Sequence, residues 1–93
     1  MTAPAPTRRI DLDVPEGTEL RLLPGDWLPT DGEHASGSPV VTVVAVGRYA
    51  HRGDWVLVQG HVCRRRYPDC DRHHCWEARV RPAAIRAHLA GVR

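Results

Sequence analysis

The sequence predicts a mostly β domain: a small antiparallel barrel of five short strands with a short C-terminal helix. Three observations predict it. Apolar residues recur in alternation with charged ones, or in dense β-branched runs, over stretches of five to ten residues. Proline, glycine and aspartate punctuate those runs as turn signals, and only the last dozen residues carry apolar positions at helical spacing.

A chain of 93 residues is enough for one modest core and too short for two ordinary domains. With 42% hydrophobic and 26% charged residues, it has the composition of a chain that folds. Phe is absent and Met occurs once, so Val, Leu and Trp must supply the core volume. The longest apolar run, residues 40–46 interrupted by Thr42, is far below the ~20 residues that span a bilayer, which excludes a membrane helix. The first fourteen residues hold Pro4, Pro6, Arg8, Arg9, Asp11 and Asp13 around no apolar centre, so no secretion signal is expected. Together with an odd cysteine count, this points to a reducing, cytoplasmic location.

Residues 1–7 offer nothing to pack and read as a disordered leader; a single domain is expected over 8–93. Residues 8–14 alternate Ile10, Leu12 and Val14 with charged neighbours, the period of a half-buried strand. Pro15-Glu16-Gly17 then turns the chain into a second strand over 19–23, which Pro24-Gly25-Asp26 ends. Trp27 and Leu28 are expected as core anchors, and 29–39, rich in Gly, Ser, Asp and Pro, as an exposed loop. The β-branched run 40–46 is the clearest strand. A turn over 47–53 leads to a strand over 54–63, and a further strand over 75–81 sets Trp76, Ala78 and Val80 on one face. Pro82 suits the first turn of a helix over 82–91, with Ile85, Leu89 and Val92 at helical spacing and Gly91 placed to end it. A helix this short needs docking to persist, so Ile85 and Leu89 should cover an open barrel end. In order of elements the chain resembles an SH3-like barrel, with an OB-like barrel as the alternative, a likeness that carries no function of its own.

The chemistry is concentrated in one hairpin. His61, Cys63, Cys70, His73, His74 and Cys75 fall within fifteen residues, 61–75. Strand alternation sets His61 and Cys63 on one face, and hairpin pairing brings the Cys63 and Cys75 ends together. Pro68 and Asp69 bend the connection so that Cys70 and a following histidine can fold back. Three thiolates and one imidazole satisfy the tetrahedral demand of Zn2+. The preferred set is Cys63, Cys70, Cys75 and either His73 or His74, with His61 as substitute. The spacing C-x6-C-x4-C is not a standard finger or ribbon pattern; the competing readings are a Cys63–Cys75 disulfide and free thiols. His34, His51 and His88 read as surface residues.

All 13 basic residues are arginine, as a GC-rich bacterial coding sequence would give. Residues 1–47 hold three arginines against seven acids, net −4; residues 48–93 hold ten against four, net +6. Arg64, Arg65, Arg66 and Arg72, with Tyr67 among them, surround the candidate metal loop, and Arg79 and Arg81 extend the patch along the last strand. Guanidinium groups beside an aromatic ring suit phosphates and a stacked base, so DNA or RNA is the expected partner of a small regulatory binding module. Asp69 and Asp71 offer internal counter-charges. The alternative is a protein-interaction module or homodimer using Trp55 and Leu57, which alternate with Val56 and Val58 and cannot share one core with them. Enzymatic activity is not expected: Ser36 and Ser38 lie outside any nucleophile elbow, and a metal shell would occupy the cysteines.

Overall fold

The computed structural model describes residues 8–10, 12–30, 37–50, 55–63 and 73–91. The strands are β1 (Arg8–Arg9), β2 (Glu19–Arg21), β3 (Trp27–Pro29), β4 (Val40–Val46), β5 (Tyr49–Ala50), β6 (Val56–His61) and β7 (Trp76–Val80), followed by one helix, α1 (Pro82–Leu89). Five of the strands form an antiparallel sheet in the order β2-β4-β6-β7-β3, and β1 pairs with β5 apart from it. Strands β2 and β3 therefore lie at opposite edges although only residues 22–26 separate them in sequence. A turn closed by the Asp26 amide donating to the Leu23 carbonyl at 3.0 Å shortens that connection further. Four inter-strand spacings of about 4.8 Å cannot stay flat across so short a link, and the sheet curls into a half-barrel.

The concave side is the core. Leu20, Val41, Val43, Val56, Val58, Ala78, Val80 and Ile85 are fully buried there, with Ile10, Leu22, Trp27 and Ala84 beside them. Alternation along β6 and β7 decides which residues enter: Val56 and Val58 face in and pair across to Val80 and Ala78. On β4 the register with β6 shifts between Val43 and Ala45, a bulge at Val44. The extra residue resets the alternation, so that Val46, rather than exposed Ala45, packs on the core.

Among the described residues of 8–14 none enters the five-stranded sheet, contrary to the alternation; of these, Arg8–Arg9 pair as a strand, with β5. Val43 already bonds Thr18 and Gly17, its amide donating at 2.8 Å and its carbonyl accepting at 2.8 Å, so its place on the β4 edge is closed to residues 12–15. Those residues lie over the core instead, Leu12 and Val14 packing on it beside buried Ile10. The sequence also concealed β3, which takes the fifth place in the sheet. Because β3 is a strand, Trp27 and Leu28 point to opposite sides: Trp27 is buried, and Leu28 is 36% exposed rather than a core anchor. The turn expected over 47–53 holds β5.

Helix α1 begins at Pro82, where a missing amide costs nothing, and ends with Gly91 at φ 75°. It contacts β2, and Ile85 is wholly buried in the core, whereas Leu89, one turn on, is 44% exposed and stands outside the core cluster. No helix among the described residues is long and apolar enough to cross a membrane.

Three substitutions test this packing. A Cβ at Gly60 would stand 2.5 Å from the Thr42 carbonyl oxygen and 2.6 Å from Val41 Cγ1, so Gly60→Ala is expected to lower stability by about 1–3 kcal/mol in urea titration. Ile85→Ala should cost about 2–4 kcal/mol in the same measurement, while Leu89→Ala, on an exposed position, should stay within about 0.5 kcal/mol.

Candidate metal centre

The centre is built at one end of the β6–β7 pair. Val56, Val58 and Gly60 point to the core, which sends Leu57, Gln59 and His61 to the opposite face. His61 is nevertheless only 1% exposed, and it stands across from Thr42 on β4. The regular ladder to β7 ends at Gly60 and Trp76. Just beyond it the Cys75 amide donates to the Gly60 carbonyl at 3.0 Å, which fixes the start of β7 beside His61.

In this arrangement one ring nitrogen of His61 and the sulfurs of Cys63 and Cys75 all lie within 4.8 Å of one another. A tetrahedral zinc shell with 2.3 Å sulfur bonds has ligand-to-ligand edges of about 3.8 Å, so a small contraction brings the three to bonding geometry. Neither Cys63 nor Cys75 is in a disulfide. The Val62 amide donates to Cys75 Sγ at 3.4 Å. A backbone N–H aimed at sulfur orients it, the kind of outer support that metal ligands receive.

The two loop histidines are engaged elsewhere. His73 and His74 stand edge to face with ring centroids 5.6 Å apart, and their Nδ1 atoms are 3.3 Å apart. His74 Nε2 lies 3.7 Å from Glu77 Oε1, the same oxygen that accepts a 2.8 Å hydrogen bond from Gln59 Nε2. The imidazole that the fold brings to the two sulfurs is therefore that of His61. Strand alternation in the sequence carries that signal, since it sets His61 and Cys63 on one face. Cys70, Arg64, Arg65, Arg66, Tyr67 and Arg72 lie outside the described residues, as do His34 and His51.

Along the same outer face of the sheet, Arg79 is exposed and pairs across to Leu57 on one side and to Leu28 on the other. Arg81, also exposed, holds its guanidinium 4.9 Å from the centre of the Trp55 ring. Trp55 and Leu57 are half-buried. The described arginines of the sequence patch thus stand on the face that carries the metal-ligand cluster, with apolar side chains flanking them.

Comparison with protein-family models, with curated proteins and with solved structures finds no match.

Cobalt(II) titration checks the centre, because thiolate-to-cobalt charge transfer reports sulfur ligation directly. Cys63→Ser, Cys75→Ser and His61→Ala are each expected to weaken metal binding by more than about 100-fold, since loss of a ligand exceeds the 10–100-fold cost of losing an outer partner. His73→Ala should leave the titration close to that of the unaltered chain.

Proposed function

We propose that this chain is a zinc-stapled SH3-like module that binds nucleic acid through the arginine-rich connection and outer face of its β6–β7 hairpin. One observation carries the reading: His61, Cys63 and Cys75 converge at the end of the hairpin whose connecting residues hold Arg64, Arg65, Arg66 and Arg72. Two thiolates and an imidazole are borderline-soft donors that suit zinc over magnesium or calcium. Cys70 is the donor within the same connection that would complete a Cys3His shell. A closed shell of that kind has no open position for substrate, so its role is structural: it ties a long connection to two rigid strands and turns scattered guanidinium groups into a fixed surface. A cytoplasmic setting keeps the thiols reduced and free for the metal.

Arg79 and Arg81 support the same reading from the strand side. Arginine offers a planar fork to phosphate, and packing against Trp55 or between leucines limits the motion that binding must freeze. Aromatic and guanidinium planes on a small β-sheet are also the surfaces on which unpaired bases stack.

The test is anisotropy of labelled single- and double-stranded DNA and RNA across a salt series. Affinity is expected to fall linearly on a log–log plot, with Arg79→Ala reducing the slope by about one and weakening all sequences alike. A chelator should weaken binding with the metal it removes. Lack of binding at low salt, or a salt-insensitive dimer in sedimentation, would overturn the reading in favour of self-association through Trp55 and Leu57.

A further inference from the structure

We infer that Cys63 and Cys75 form a metal-gated dithiol, converted to a disulfide by a peroxide-class oxidant with release of the bound ion; this rests on the zinc reading and adds its regulation. The two sulfurs lie within 4.8 Å of each other, and both cysteines are half-buried, within reach of a small oxidant. Both also stand outside the paired strands, Cys63 after the end of β6 at His61 and Cys75 before the start of β7 at Trp76. Closing the pair to a bond of about 2.05 Å therefore moves residues beyond the ladder and leaves the pairing from Val56–Val80 to Gly60–Trp76 intact. The Val62 amide, donating to Cys75 Sγ at 3.4 Å, fixes where that sulfur points.

The step balances. One thiolate attacks a peroxide oxygen, the O–O bond breaks, and that sulfur becomes a sulfenic acid while the departing oxygen takes a proton and leaves as water. The second thiolate attacks the sulfenic sulfur; the S–S bond forms, the S–O bond breaks, and the hydroxide takes a proton to give a second water. The two sulfurs lose two electrons and the peroxide gains two. With both thiolates consumed, His61 remains as a single donor of the described three, and the dication leaves.

Hydrogen peroxide added stepwise to the zinc-loaded full chain tests this, read by a chromogenic zinc chelator and by peptide mapping. Cleavage after arginine sets Cys63, Cys70 and Cys75 in separate peptides, 53–64, 67–72 and 73–79, so each link has its own mass. The expected result is about one zinc released per peroxide consumed, a dominant link between 53–64 and 73–79, and recovery of zinc binding after dithiothreitol. Zinc retained under peroxide, a dominant link through Cys70, or irreversible sulfinic acid would overturn the inference and leave the metal reading standing. A chain that takes up no zinc before any oxidant is added ends both, and the untreated sample shows which has failed.

Discussion

Between β4 and β6 the two backbones approach so closely at Gly60 that no side chain fits, and much of the molecule follows from that contact. It sets Val43 against Gly60 and Thr42 against His61 on one side, and Gly60 against Trp76 on the other. Core and metal centre are thereby indexed to the same residue. Slipping the register by one place would turn Val56 and Val58 out to solvent and carry His61 onto the concave side, away from Cys75. Geometry at the candidate site is thus inherited from packing a few ångströms away.

A chain this small built largely on valine and alanine has little apolar volume to spare. Trp27 meets Trp76 with ring centroids 5.7 Å apart where β7 begins, immediately after Cys75. The tilted ring contact holds the start of β7 beside the cluster of His61, Cys63 and Cys75. A metal held by His61, Cys63 and Cys75 would add stability where the hydrophobic core has ended, the usual recourse of domains with limited interior.

Much of this was legible in the residues. The β-branched run at 40–46 is β4 to the residue, and Pro82 marks the first residue of α1. The hairpin that gathers the cysteines follows from two strands of alternating pattern either side of a turn-rich connection. What escaped detection was set by distant partners. Residues 8–14 alternate as a strand should, yet the backbone bonds of Val43 on the β4 edge go to Thr18 and Gly17. Three residues ending in proline gave no sign of β3, whose existence depends on β7 lying beside it. The bulge at Val44 reverses inside and outside midway along β4, which no local period reveals. At the centre itself, composition named the donor types, but the choice among histidines turned on which one the sheet buries. His61 is held by six residues of β6, whereas His73 and His74 precede β7 and turn toward each other and Glu77.

The two borders of the curled sheet are each three residues long. One carries Pro29, which has no amide to offer, and the other presents Glu19 and Arg21 to solvent. Such borders make poor templates for an incoming chain, so crowded copies of this molecule lack an easy route into stacked β aggregates. The fold can therefore leave apolar side chains such as Leu28, Val40 and Val62 exposed without inviting backbone-to-backbone growth at these borders.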